Sequence, residues 1–599
     1  MDHPETAATK NDSQAEYFKI RELANSYFEK NFHEIMKNVK AASVTIDKVT
    51  TTHAYQVIIT FFFYEGRIHC YLNKIDHLDT KDYDAPGTAR KVAHILRKSL
   101  GLTDDGLARV IKHFIYDGVY ATAEERVAGG GSLSLIHYFA TEIGLNAGDI
   151  GGQWDIAHLG QVIYKGVLSD SKFARDTLKF VFDSMKPYTS GKGATFFQEE
   201  AKKLYNVFLK NEKPQATRFV FSVLRAMHAF VINCPTLQSI AAQDLEAALE
   251  ANDNTSAKKA KKINDGLSNG SNIAAVVGLC QILDNYGEMS VYSQSSKKIP
   301  TSVWNKIDTC KKKLAEYSTD WHWETAPLPV SKIGTPRTII DNLLIGKYQP
   351  DLSKNQLTRH KAWNSIGGKS NLVQSVESQL DSNEIDTNIE TLNETAKTYG
   401  AEEIIIKGFT SEAKEAVEKE LKQIAKSLVD GMNKRLKISD LQCKALYLFG
   451  DFSEEKLDVS TAELQTLIDT IPGPFAEQYS AEDNLPGYRT WLEFGMSLKA
   501  KTPNISNEDI WSKFYEKFNE SFPNFIDLYQ DINIRTTSEA MAETVGSVMN
   551  AHTSRGRNPH PYNFDIEIRL RFNLPPLHCL DDLIEKILEQ QIKDKAFYI

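Results

Sequence analysis

"HFIYDGVYAT", residues 113–122, decides how the chain is read, because an apolar, β-prone run ends there in Asp117-Gly118. Asp-Gly is among the commonest ways to close a strand: Asp bonds its own backbone and Gly accepts positive φ. Asp117 is therefore either a plain turn residue or one of a set of carboxylates that hold a metal ion. This stretch alone leaves both readings open, and the decision falls to the segments around it.

Just upstream, "LARVIKHFIYDG" reads as a strand entered from a helix. That helix is "APGTARKVAHILRKSLG", with Pro86 near its start, Val92, Ile95, Leu96 and Leu100 on one face, and Gly101 as a stop. Before it, "ASVTIDKVT", "HAYQVIITFFFYEG" and "RIHCYLNKIDHL" are rich in β-branched and aromatic residues. Glu65-Gly66 makes a tight turn between the last two, so three consecutive antiparallel strands are expected. An amphipathic helix precedes them, carrying Phe18, Leu23, Tyr27, Phe28 and Phe32 at helical intervals, and is expected to pack as a lid after a polar start. Downstream, "SLSLIHYFATEIG" predicts another helix. The order βββαβα opens an RNase H-like α/β fold, a mixed sheet in which a helix crosses over to a strand beside the first.

At 599 residues the chain exceeds one ordinary domain, and a hydrophobic content of 41% with 25% charged residues is that of a globular protein. A formal net charge of -9 excludes coating of nucleic acid through bulk charge but allows a local basic groove. The cysteines, at 70, 234, 280, 310, 443 and 579, form no CxxC pair and no zinc-finger spacing, so neither structural zinc nor a disulfide framework is expected. The polar, acidic start is no signal or transit peptide, and no apolar run is long enough to span a bilayer. A cytoplasmic or nuclear protein without a membrane segment is expected.

From about 170 to 530 the chain is expected to be mostly helical, as "FARDTLKFVFDSM", "FVFSVLRAMHAFVI", "SNIAAVVGLCQIL" and "KEAVEKELKQIAKSLVDGM" carry apolar positions three and four apart. The expected plan is a tail and helix over 1–40, the first part of the sheet domain over 41–170, an all-helical insertion over 171–530, and completion over 531–599. Within the insertion, the acidic stretch 374–395 is either a solvated helix face or a connector.

In an RNase H-like sheet the first and fourth strands lie side by side, which would bring Asp47 of "VTIDKVT" close to Asp117. An Asp in a β-branched strand is costly if buried unpaired, so Asp47 calls either for a cation or hydrogen bonds, or for a solvent-facing position. Exonucleases of this fold use Asp-x-Glu in the first strand, whereas Lys48 and Val49 follow Asp47 here. A third carboxylate is offered by "RTTSEAMAETVGSVMNAHTSRGRN", where Thr536 and Glu539 make a capping box and Met541, Val545, Val548 and His552 mark a buried stripe. Glu543 faces away from that stripe, either as a solvated carboxylate or as a ligand. Asp47, Asp117 and Glu543 would together bind Mg²⁺ or Mn²⁺ through oxygen for in-line phosphoryl displacement.

The combination resembles the hAT-type transposase family, whose RNase H-like domain is interrupted by a helical insertion and resumed by a C-terminal helix and dimerisation segment. "VTIDKVT" and "FIYDGVYAT" resemble the segments of the first and second Asp. "WDIAHLGQVIYKGVL" is similar to a block that usually reads Cys-x-x-His, and "TSEAMAETVGSVMNAHTSRGRN" with "IRLRFNLPPLH" is similar to the terminal block. The resemblance implies metal-binding catalytic roles for Asp47, Asp117 and Glu543, and puts His158 near the active site with Asp155 in the usual Cys position. "ATRFVF" is similar to a Thr-Arg-Trp segment, with Arg218 matching and Phe219 in place of Trp, either a base-stacking or a core aromatic. Basic runs at 258–262, 295–300 and 310–313 and the Arg555 and Arg557 pair either contact phosphates or are solvated faces. Family members usually begin with a BED zinc finger, and none is present in this sequence. The implied function is DNA cleavage and strand transfer in the nucleus by a dimer or higher homo-oligomer. The alternative is a domesticated, non-catalytic nuclear protein that keeps the scaffold for dimerisation and for DNA or protein binding.

Overall fold

The computed structural model describes residues 5–50, 54–78, 85–116, 135–146, 148–205, 219–295, 298–322, 410–535, 538, 540–553, 561–573 and 585. Two compact units divide the chain: residues 1–158, 292–306 and 438–599 form one, and residues 159–291 and 307–437 the other. Among the described residues the structure is mostly helical, with a single five-stranded mixed sheet in the first unit.

The first unit opens with α1 (Glu5–Asn38), β1 (Ala42–Thr50), β2 (Ala54–Tyr64), β3 (Arg67–His77), α2 (Ala85–Leu100), α3 (Asp104–Val110), β4 (Ile111–Tyr116), α4 (Leu135–Glu142) and β5 (Gly151–Trp154). The strand order is β3-β2-β1-β4-β5, antiparallel among the first three and parallel from β1 through β4 to β5. Glu65 and Gly66 both take positive φ, 48° and 70°, the backbone that a two-residue hairpin turn between twisted strands demands. At Gly66 the side of Tyr515 leaves no room for a Cβ either, since one built there would lie 2.7 Å from the tyrosine Cβ. The expected strand "LARVIKHFIY" divides: Leu107–Val110 end α3, because Thr103 caps that helix by accepting from the Gly106 N–H, and only Ile111 onward is extended.

Helices α5 (Ile156–Asp170), α6 (Lys172–Met185), α7 (Gly191–Tyr205), α8 (Phe219–Glu250), α9 (Asn254–Leu267), α10 (Gly270–Ser293), α11 (Pro300–Thr319) and α12 (Ser411–Arg435) follow and supply the second unit. Close approach between its helices uses small residues: Gly278 lies against Leu421 and Gly431 against Ile163, where a Cβ would collide with the leucine or isoleucine methyls. Tyr286, fully buried, donates its hydroxyl to the Gly160 carbonyl at 2.7 Å, which satisfies a polar atom that burial would otherwise penalise.

The chain returns to the first unit as α13 (Asp440–Phe449), α14 (Thr461–Ile468), α15 (Ala481–Lys501), α16 (Asn507–Phe518), α17 (Pro523–Asn533), α18 (Ala540–Thr553) and α19 (Pro561–Asn573). The helical insertion expected over 171–530 is therefore narrower, because α13–α17 pack on the sheet. Periodicity identifies a helix and its apolar face but not the surface that face meets.

Each sheet face has its own core. On one, Ala42, Val44, Ile46, Ile58, Phe114 and Tyr116 meet Phe32 and Met36 of α1, Val92 and Leu96 of α2 and Phe139 of α4, so α1 does cover the sheet. On the other, Val49, Val57, Ile59, Phe61 and Ile115 meet an aromatic mass from α13–α19 that includes Phe449, Trp491, Trp511 and Tyr529. Coverage on both faces explains why "VIITFFF" shows no alternation of apolar and polar residues.

The outer edge of β3 is closed by α19. Asp565 accepts from the Ile75 N–H at 2.7 Å and pairs with Lys74, while Asn573 accepts from the Leu72 N–H at 2.9 Å and donates to the Leu72 carbonyl at 3.0 Å. These side chains occupy edge groups that would otherwise template pairing with another strand. The apolar residues of α19 are also spent internally, Phe564 and Ile568 on the sheet core and Ile566 and Leu570 against Ala24 and Phe28 of α1. The segment expected to offer a dimer surface thus turns its 564–570 apolar residues inward, and the rest of it lies mainly outside the described residues.

Candidate carboxylate site at the end of β1 and β4

Asp47 is half-buried near the end of β1, directly opposite Val57 on β2. Alternation along the strand puts it on the side of Val49 and Thr45, which is the face covered by α13–α19. On its other flank β1 pairs with β4 as far as Ile46↔Tyr116. Asp117 is the next residue in the chain and lies outside the described residues, as do Arg218, Arg555, Arg557 and the side chain of Phe219.

Helix α18 lies on β1 and β2 and brings Glu543 to the same side of the sheet as Asp47. Its buried stripe is Ala542, Val545 and Met549, with Met541 and Val548 half-buried beside it, close to the expected stripe but turned by one residue. Gly546 rests on Val49, and a Cβ there would lie 3.1 Å from a valine methyl. Glu543 is exposed, one turn nearer the helix N-terminus than Gly546, and its charge is favoured at that end of the helix dipole. Thr536 and Glu539, the expected capping box, lie outside the described residues; the Ala540 N–H donates to Ser538 Oγ at 3.1 Å.

A further carboxylate stands at this end of the sheet. Tyr116 pairs with Trp154 on β5, and the Asp155 N–H then donates to the Tyr116 carbonyl at 3.0 Å, so Asp155 follows directly at the strand ends. Its side chain is buried and accepts from the Ala157 N–H at 2.7 Å, which starts α5. This supplies a physical reason for Asp where the resembled block carries Cys: the position caps a helix. His158, half-buried on α5, stacks on Trp154 with ring centroids 6.3 Å apart. The sequence "GGQW" carries no strand signal of its own, so nothing local marks Asp155 as the residue after a strand.

Deeper on the same face lies a group of buried charges. Asp531 accepts from Arg535 Nη2 at 2.9 Å and from the Tyr479 hydroxyl at 3.2 Å, and Lys112 Nζ sits 3.6 Å from its other side. Burial pulls Lys112 down to about 8, an effect the Asp531 carboxylate opposes and Arg535 reinforces. His113, fully buried with neither ring nitrogen hydrogen-bonded, is held down to about 3 by burial and by Arg535. Burial together with Asp531 pushes the Tyr479 phenol far up, so it acts only as a neutral donor.

Among the described residues no group of three or more His, Cys, Asp or Glu is placed to hold a metal ion, and no helix is long and apolar enough to cross a membrane. Of the basic runs, Lys298 pairs with Glu508, Lys312 with Asp308 and Lys313 with Glu316, whereas Lys258, Lys259, Lys261 and Lys262 are exposed on α9. No protein-family model and no curated protein matches the chain.

Proposed function

We propose that the protein is a hAT-like transposase, or a close derivative of one, that cleaves and joins DNA in the nucleus with Asp47, Asp117 and Glu543 as its carboxylate set. The observation that carries this reading is that α18 docks on the Asp47 face of β1, with Gly546 on Val49, so that Glu543 and Asp47 share one side of the sheet. The strand order β3-β2-β1-β4-β5 is the one an RNase H-like sheet requires, and it runs β4 beside β1 up to the residue before Asp117.

The donor set suits a hard divalent cation, since carboxylate oxygens on a half-buried strand end and an exposed helix keep room for water ligands, as Mg²⁺ and Mn²⁺ prefer. Bound there, the ions would supply a more acidic nucleophile and neutralise charge at the leaving oxygen. In support of this reading, Asp47 is held in the ladder opposite Val57 on β2, and the Gly546–Val49 contact keeps the helix that carries Glu543 close to β1. The test is metal-dependent nicking or strand transfer on cognate end DNA, with Asp47→Asn and Glu543→Gln beside the native protein. Equal activity in all three defeats the assignment.

The formal net charge of -9 favours a second reading, a non-catalytic nuclear scaffold that binds DNA or protein partners. Light scattering after size exclusion, with DNA binding followed against salt, separates the two: an oligomer without DNA affinity supports the scaffold.

A further inference from the structure

We propose that Lys112, Asp531 and Arg535 form a buried lock on the register of β4, and that this lock places the C-terminal end of β4 beside Asp47. Its functional consequence rests on the carboxylate reading above; its geometry does not.

The register of β4 on β1 contains one irregularity. Ala42 pairs with Ile111, but Ser43 pairs with His113, so Lys112 has no partner on β1 and forms a bulge. Core membership shows what the bulge achieves. Ile111 before it and Phe114 and Tyr116 after it all pack in the core on the α1–α2 side, while Ile115 joins the opposite core. Without the extra residue Ser43 would pair with Lys112 and Ile46 with Ile115, and every later side chain of β4 would change faces. The ending Ile46↔Tyr116, one residue before Asp47 on β1 and at the last residue of β4, needs Lys112 to stay looped out.

Three contacts hold it there. Arg535 Nη1 donates to the Lys112 carbonyl at 3.1 Å, the Lys112 ammonium sits 3.6 Å from Asp531, and it lies 3.4 Å from the centre of the Phe475 ring. The three charged side chains are nearly inaccessible, at 2%, 1% and 3% exposure for Lys112, Asp531 and Arg535. Taking such ions out of water is costly, and well-packed apolar groups of similar volume often serve stability as well or better. Specifying one register among several is the best-attested use of buried charge, and a register is what these residues touch. Arg535 lies two residues after the end of α17 and five before the start of α18 in the chain, so its side chain ties the β4 bulge to a point close in sequence to the helix that carries Glu543.

The test replaces the three charges together, as Lys112→Met/Asp531→Leu/Arg535→Met, which removes the ions without stranding one of them. Two readouts are taken beside thermal unfolding: amide exchange of peptides covering 113–116 against those covering 57–63, and Mn²⁺ affinity by titration. The expected result is a cooperatively folded variant whose β4 amides exchange at least tenfold faster relative to β2 and whose Mn²⁺ affinity falls at least tenfold. Arg535→Lys, which keeps the charge but not the planar fork, is expected to fall between. If the triple variant does not fold, Asp531→Asn is read in the same two assays with the same expectations. Unchanged β4 exchange overturns the lock. Faster β4 exchange with unchanged Mn²⁺ affinity overturns its role in positioning the site. Faster β4 exchange in a protein whose native form binds no Mn²⁺ upholds the lock and defeats the carboxylate reading instead.

Discussion

Arg535 and the Lys112 main chain are joined by a 3.1 Å hydrogen bond although 423 residues separate them in sequence. The bond ties the last third of the chain to the strand that precedes Asp117, and it runs beside Gly151, where an added Cβ would lie 3.0 Å from both Arg535 Nη1 and His113 Nδ1. The space around His113 is thus closed on the β5 side by a residue with no side chain and on the helical side by a guanidinium.

That enclosure has a pH signature. The folded protein keeps His113 unprotonated down to about 3, while the unfolded chain takes up the proton near the ordinary value of 6.5. Between those values the unfolded state binds more protons, so this group makes stability fall as pH falls through the window. The slope is roughly 1.4 kcal/mol per pH unit for one proton, hence roughly 2 kcal/mol lost between pH 6.5 and about 5. His113→Phe, similar in size and without a titrating group, is expected to shed that part of the slope in urea denaturation. An identical slope in the variant would show that His113 does not carry the effect.

Asp565 is expected to be the most sensitive residue of α19. Its carboxylate is almost fully buried, accepts from the Ile75 N–H at the β3 edge, and receives both Lys74 and Arg569. Asp565→Ala takes the acceptor from Lys74 and from the Ile75 edge amide and leaves Arg569 with Glu29, 2.6 Å away, for which about 3 kcal/mol of destabilisation is expected. Chemical denaturation measures this, and a loss below about 0.5 kcal/mol would mean that α19 is not what closes the edge. A second consequence is more self-association of the variant, visible in light scattering, because the edge of β3 is uncovered.

The contact of α18 with β1 can be probed by size. Gly546→Leu is expected to cost about 2 kcal/mol by overpacking against Val49, whose methyls already stand 3.1 and 3.2 Å from where a Cβ would be. Combining it with Val49→Ala should recover part of the loss, giving a coupling energy of at least about 0.5 kcal/mol in a double-mutant cycle. Additive effects would place the helix elsewhere and separate Glu543 from Asp47.

Legibility of the sequence varied with the range of the interactions concerned. β1–β3 and the Glu65-Gly66 turn were readable because strand propensity and positive-φ residues act locally. β5 was not, since "GGQW" has no apolar alternation and is a strand only through pairing with β4. The last four residues of α3 read as strand although Thr103, Asp104 and Asp105 carry an N-cap signal, because the apolar "LARV" merges with the run that follows. The Asp47 strand and the Glu543 helix were found, but that α13–α17 cover the same face as α18 depends on which surfaces meet. The charges around Asp531 were invisible for the same reason: nothing near Lys112 in sequence announces a carboxylate so far along the chain.

Divalent ions give the sharpest test of the carboxylate set that does not depend on knowing the DNA. A ligand that binds only the folded state stabilises it by RT ln(1 + [L]/Kd), about 2.7 kcal/mol at a hundredfold excess over Kd. Native protein should therefore melt at a higher temperature in Mg²⁺ or Mn²⁺, and Asp47→Asn, Asp117→Asn and Glu543→Gln should each lose most of that gain. Without metal, Glu543→Gln should cost well under 1 kcal/mol, since the side chain is exposed on the first turn of α18 and the amide keeps its size and shape. The pattern sought is thus a metal-induced gain, each protein measured against itself in chelator, that is large in the native protein and small in all three variants. Equal metal stabilisation in all four proteins would put any bound ion away from these carboxylates, and the transposase reading would lose its chemistry while the fold stood unchanged.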